Sequence, residues 1–168
     1  MNGAVRTIVP RIWYLLPLSV RRRILWLAHP RYTVGVSAVL FNDRDEILYL
    51  RHRYRERRGW ELPGGLVKRG EKLEEALRRE IWEETGYHAE ILSFVAADIS
   101  PSLHVDVCYA AHVLDGMLTV DPKEILEAQF FARHELPSTL EAAQRETIEQ
   151  AVRMRRFASG AGPPGDPS

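Results

Sequence analysis

The chain has 168 residues, with 23 Lys plus Arg against 23 Asp plus Glu, so its overall charge points to neither nucleic acid nor an acidic surface as partner. Its 45% hydrophobic and 27% charged content suits one globular domain with a real core. A lone cysteine, Cys108, rules out an internal disulfide and a cysteine-based zinc site and fits a reducing compartment, with the cytoplasm as the expected location.

The longest uncharged apolar run, Ile12 to Val20, falls well short of the ~20 residues a spanning helix needs. Arg21, Arg22 and Arg23 follow where a secretory leader would need small residues. The segment reads as a helix over roughly Leu18 to Leu27, within a helical extension covering residues 1–30. It packs on the domain or on a second subunit, or, being basic and aromatic-bearing, makes peripheral contact with an anionic membrane.

Tyr32 to Phe41 is β-branched and apolar and closes on Asn42-Asp43, so it reads as a buried strand that pairs with Glu46 to His52. Arg51 to Trp60 is an arginine-dense loop, and Leu62-Pro63-Gly64-Gly65 is a breaker cluster expected to continue neither strand nor helix. Lys72 to Thr85 is rich in Glu, Leu, Ala and Arg and stops at Gly86, the signature of a helix. Strands are expected at Glu90 to Ala97, His104 to Leu114 and Gln129 to Ala132, the first two linked through Ile99 to Leu103. A last helix is expected over Ser138 to Phe157, with Ser138 as cap and Glu141 three residues on. The tail, residues 159–168, reads as disordered. Strands on both sides of a central helix make this a mixed α/β domain.

Within the central helix the glutamates separate by angle. At about 100° per residue, with Glu80 at zero, Leu73 lies at about 20°, Ala76 at about −40°, Leu77 at about 60°, Glu84 at about 40° and Glu83 at about −60°. The apolar stripe therefore turns acidic halfway along, while Glu74, Glu75 and Arg78 fall on a solvated face. Three carboxylates on a semi-buried face must be protonated, paired or metal-bound. Arg79 is available to pair with one of them, and hard oxygen ligands in a cluster favour Mg²⁺ or Mn²⁺ over zinc.

The spacing runs Gly65, five residues, Glu71, seven residues, Arg79-Glu80, Ile81, one residue, Glu83-Glu84, one residue, Gly86. This resembles the signature of the Nudix hydrolases, G-x5-E-x7-R-E-U-x-E-E-x-G-U, and departs only at Tyr87, a packing position usually aliphatic. Trp60 to Gly65 resembles the family's lead-in, and the resemblance extends over Tyr32 to Phe157. It implies an α/β/α sandwich around a mixed sheet at residues 31–158, and divalent-metal-dependent cleavage of a nucleoside diphosphate linked to another group. Carried over by position, Glu83, Glu84 and the Gly64 carbonyl are metal ligands and Glu80 is a ligand or the base. Arg79 orients the glutamates, Glu71 braces the loop before the helix, and Gly65 and Gly86 are structural. Family members differ in the source of the general base, and Glu124 and Glu127 are further candidates.

Arg51, Arg53, Arg55 and Tyr54 are candidates for the substrate, two of the arginines on phosphate, whereas Trp60 reads as core. Ser100-Pro101-Ser102 stands near where ADP-ribose-type members carry a proline. His104 and Asp106 read as satisfied sheet positions near the pocket. The resemblance implies a small-molecule nucleotide derivative, no polymeric nucleic acid, and a possible homodimer. Two alternatives stand beside it: a Nudix-fold binding module without turnover, and a membrane-associated hydrolase of lipid-linked diphosphates.

Overall fold

The computed structural model describes residues 13–28, 31–54, 59–137, 140 and 142–158. The chain divides into two compact units, Met1–Tyr32 and Thr33–Ser168. In the first, helix α1 runs Leu18–Ala28. Arg21 folds back on the segment that precedes this helix, donating from Nε to the carbonyl of Leu16 at 2.9 Å and through Nη2 to that of Tyr14. Its guanidinium lies 5.4 Å from the centre of the Tyr14 ring.

The second unit is built on one six-stranded sheet. Its strands are β1 (Thr33–Phe41), β2 (Ile47–His52), β3 (Gly64–Leu66), β4 (Tyr87–Ser100), β5 (His104–Gly116) and β6 (Ile125–Phe131), and its helices are α2 (Leu73–Thr85) and α3 (Ala142–Ala158). The spatial order is β4-β5-β1-β2-β6, with β3 pairing on β1 off that path. β1 and β5 are parallel and the other pairs antiparallel, so the sheet is mixed. Strand alternation sends successive side chains of β1 to opposite faces. Val36, Ala38 and Leu40 join Leu48 and Leu50 beneath Ala76, Leu77 and Ile81 of α2. Val39 and Phe41 join Ile47, Tyr49, Cys108 and Ala110 against Leu140 and against Ile148 and Ala151 of α3. Two helical layers thus sandwich the sheet. Trp60 packs on the second cluster, its ring edge-on to Phe131 at 4.9 Å, in accord with a core role.

α2 lacks a side-chain cap at Lys72, but Glu74 and Glu75 stand in its first turn, where carboxylates favour the exposed N–H groups. It ends as expected: Gly86 is left-handed (φ 71°) and its N–H bonds the carbonyl of Trp82 at 2.9 Å. Tyr87 packs on the first cluster, with its ring 6.1 Å from that of Phe130.

Four expected boundaries need correction. The breaker cluster at Leu62 to Gly65 gives way at Gly64 to β3, because β1 offers it an antiparallel partner, Ser37 opposite Gly64 and Gly35 opposite Leu66. β4 begins at Tyr87 and runs to Ser100, its whole length paired with β5 through three register shifts. β6 starts at Ile125, its Cα partner being His52. α3 starts at Ala142. The proposed cap Ser138, Glu141 and the tail from residue 159 lie outside the described residues, as does Arg55.

Candidate active site

α2 brings its acidic stripe over the two glycines of β3. An added Cβ at Gly65 would lie 2.4 Å from Cδ of Glu80 and 2.6 Å from each of its carboxylate oxygens. Only a residue without a side chain lets that carboxylate rest on the strand. At Gly64 an added Cβ would fall 2.1 Å from the carbonyl oxygen of Val36, so this glycine is required by the tight β1–β3 pairing. The Gly64 N–H donates to Oε2 of Glu84 at 2.9 Å, and His52 Nε2 faces the other oxygen at 3.7 Å. Glu84 is 9% exposed, unusual for a carboxylate.

Arg79 ties the remaining acids together. Its Nε and Nη2 meet the two oxygens of Glu71 at 2.8 and 3.0 Å in a bidentate pair. Its Nη1 reaches Glu80 at 2.7 Å and Glu83 at 3.1 Å, and Nη2 also reaches the Leu66 carbonyl at 3.2 Å. Arg79 thus serves two of the three stripe carboxylates, Glu80 and Glu83, where sequence reasoning allowed it one, and Glu71 besides. The Arg79 hydrogen bonds, joined by the Lys68 N–H, hold the Glu71 carboxyl down at about 2, and Glu71 in turn raises the pKa of Arg79. Glu83 is half exposed, with Lys68 Nζ at 3.9 Å from its other oxygen.

A cleft of about 400 Å³ opens beside the glycine strand, within the size range of small-ligand sites. Two rungs of aligned residues form its floor: Gly35, Asp106 and Asp98 in one, Ser37, Cys108 and Ala96 in the other. His52, Glu61, Gly64 and Gly65 border one side, and Gln144 and Thr147 of α3 the other. Ser37 donates to Asp106 at 2.9 Å, and His104 Nδ1 lies 2.7 Å from the Thr33 hydroxyl. These two residues are satisfied sheet positions that also line the cleft. Burial pushes the Cys108 thiol up to about 11, so it sits there protonated. Among the described lining residues the carboxylates are Glu61, Asp98 and Asp106, and there is no lysine or arginine.

The arginines expected on substrate stand elsewhere. Arg51 pairs with Glu127 at 3.0 Å and stacks over Trp60 at 5.8 Å. Arg53 donates to the Pro122 carbonyl at 2.9 and 3.2 Å, and its N–H bonds the carbonyl of Glu124. Tyr54 is 84% exposed. None of these lines the cleft, and neither does Glu124 or Glu127. Ser37, Glu61, Asp98, Gln144 and Thr147 do line it, and sequence reasoning misses them. Glu61 adjoins the Pro-Gly-Gly lead-in, the one local hint; the others converge only through sheet register.

The donor types suit a hard divalent cation, three carboxylates and the Gly64 carbonyl with no sulfur, and the space a Cβ would take at Gly65 seats the Glu80 carboxylate. As arranged, no three His, Cys, Asp or Glu side chains among the described residues are grouped closely enough to hold an ion. Arg79 engages Glu80 and Glu83 through Nη1, while Glu84 accepts from the Gly64 N–H.

A NUDIX domain profile matches residues 31–151. The 8-oxo-dGDP phosphatase NUDT18 of Homo sapiens is 31% identical over 84% of this chain and 43% of its own length. The NAD-capped RNA hydrolase NudC of Shigella flexneri is 33% identical over 86% of this chain and 55% of its own. The chain therefore spans about half the length of these curated relatives. Among solved structures, a MutT NUDIX hydrolase from Burkholderia pseudomallei superposes with a TM-score of 0.60 at 32% identity, covering 72% of this chain and 98% of that one. With the profile spanning the sheet, α2 and most of α3, and with the glutamate helix set on its two glycines, the chain belongs to the Nudix hydrolase family.

Proposed function

We propose that residues 31–158 form a divalent-metal-dependent pyrophosphohydrolase that acts on a nucleoside diphosphate derivative. The carrying observation is that Glu80 and Glu84 of the acidic stripe rest on the glycine strand that borders the cleft, with Glu83 tied to Glu80 through Arg79, although none of the three lines the cleft itself. A diphosphate entering a cleft lined by carboxylates meets repulsion. A bound Mg²⁺ or Mn²⁺ supplies the counter-charge and lowers the pKa of an attacking water. Glu80, Glu83, Glu84 and the Gly64 carbonyl would hold it.

The chain's own residues prepare that site. Arg79 holds Glu80 and Glu83 through one guanidinium nitrogen, and Glu71 holds Arg79 in place from the far side. The Gly64 N–H fixes one Glu84 oxygen. Of the three carboxylates weighed as base, Glu80 is the one that rests against the cleft-lining strand, which supports it over Glu124 and Glu127. The nucleoside lies over the sheet floor, where Asp98 and Asp106 accept hydrogen bonds from sugar hydroxyls or base N–H groups. The relatives named for 8-oxo-dGDP and for NAD-capped RNA support a nucleotide derivative as substrate.

The test is a panel with Mg²⁺: nucleoside di- and triphosphates, ADP-ribose, sugar nucleotides, dinucleoside polyphosphates, lipid diphosphates and an NAD-capped RNA, with products identified by mass. At least one member is expected to be cleaved at its phosphoanhydride, and Glu84→Gln is expected to lower that turnover at least about 100-fold with the fold intact. Cleavage of none, with nucleotide binding retained, would establish a binding module instead. A Glu84→Gln enzyme as fast as wild type would remove Glu84 from the metal.

A further inference from the structure

The neutral total conceals a division. The first 32 residues hold six arginines and no acidic residue, leaving 17 basic and 23 acidic residues in the other 136. Within that unit six described apolar side chains do not bury one another: Tyr14, Leu15, Leu18, Val20, Ile24 and Leu25 are between 39% and 83% exposed. On α1, with Leu18 at zero, Leu25 lies at about −20°, Ile24 at about −120° and Val20 at about −160°, whereas Arg22 and Arg23 lie at about 40° and 140°. Trp26 falls between those two arginines on the same wheel. Arg21 alone falls within the apolar arc, and its guanidinium is turned away onto the carbonyls of Tyr14 and Leu16.

From this pairing of an exposed apolar arc with an unopposed cationic one, we infer that α1 docks the protein on an anionic lipid surface, lying in the plane of the headgroups. Arg22 and Arg23 meet lipid phosphates, while Leu18, Ile24 and Leu25 enter the acyl boundary. An RNA would answer the arginines but leave the apolar arc in water, so lipid accounts for more of the surface. No helix among the described residues is long and apolar enough to cross a membrane, which leaves surface attachment as the mode available to α1.

Co-sedimentation of the full chain with vesicles tests this without recourse to turnover. Binding is expected to phosphatidylcholine vesicles containing phosphatidylglycerol and not to phosphatidylcholine alone, and to fade as salt rises. R22A/R23A is expected to weaken partition about thirtyfold, at about fivefold per arginine. Leu18→Ser with Leu25→Ser is expected to weaken it at least tenfold, with the thermal melt of the sheet domain unchanged in both variants. No pelleting with anionic vesicles overturns the inference. So does a serine variant that pellets like wild type while poly-uridylate RNA strips the protein from vesicles, since the surface is then a general polyanion patch.

Discussion

Gly64 and Gly65 are neighbours in β3, yet replacing each by alanine should have opposite consequences. In Gly64→Ala the new Cβ would meet backbone, the Val36 carbonyl at 2.1 Å and the Ser37 Cα at 2.7 Å. Neither atom can yield without parting β3 from β1, so the cost should reach the upper end of overpacking, about 3 kcal/mol. For a domain of this size the melting temperature should fall by about 10 °C. In Gly65→Ala the methyl meets only the end of the Glu80 side chain, which can swing away. The loss is then the Arg79–Glu80 hydrogen bond, about 1 kcal/mol, and about 4 °C. Under the proposed metal-dependent reaction, turnover should nonetheless drop about 100-fold, because the displaced carboxylate would be its metal ligand or base. Scanning calorimetry beside a steady-state assay on the best substrate of the panel separates the two effects. If Gly65→Ala loses as much stability as Gly64→Ala, or keeps full activity, the picture of Glu80 resting functionally on Gly65 is wrong.

Acid should expose the Arg79 cluster. The Glu71 carboxyl is held at about 2 against an ordinary 4.5, so in acid the folded state takes up its proton later than the unfolded one. Its stabilising contribution is complete above pH 4.5 and vanishes as pH falls through about 2. The melting-temperature gap between wild type and Glu71→Gln should therefore be flat above pH 5 and close between pH 4.5 and 2; a gap unchanged across that window contradicts the pairing. Arg51→Ala loses an exposed pair with Glu127, worth under about 1 kcal/mol, and should leave KM within about twofold. A tenfold rise in KM at unchanged stability would instead put Arg51 on the substrate.

What could be read from the chain beforehand was what is local. The 3.6-residue period of Leu73, Ala76, Leu77 and Ile81 carries α2, and the same period shows Glu80, Glu83 and Glu84 sharing its stripe. β4 extends beyond the expected Glu90 to Ala97 at both ends, through the polar His88 and Asp98, because pairing with β5 carries it there. β3 is three residues with two glycines, and nothing local makes it a strand; β1 does. The cleft shows the same division. Ser37, Asp98 and Asp106 come together by register among β1, β4 and β5, which no spacing along the chain encodes. In the arginine-rich loop composition reports charge but not direction: Arg51 and Arg53 turn to Glu127 and the Pro122 carbonyl, and residues 55–58 lie outside the described residues.

The parallel pairing of β1 with β5 also bears on when the site comes into being. Thr33 lies beside His104 and Phe41 beside His112, a closure between positions 71 apart in the chain that is made before the floor of the cleft exists. Closing such a loop carries an entropic penalty of about 4 kcal/mol, so this contact belongs late in folding, after the β4–β5 hairpin and α2. A nascent chain ending short of Asp106 holds the full run from Gly64 to Gly86, acids included, but lacks the strand that completes the floor of the cleft. The floor of the cleft should consequently be completed all at once, with the docking of one strand.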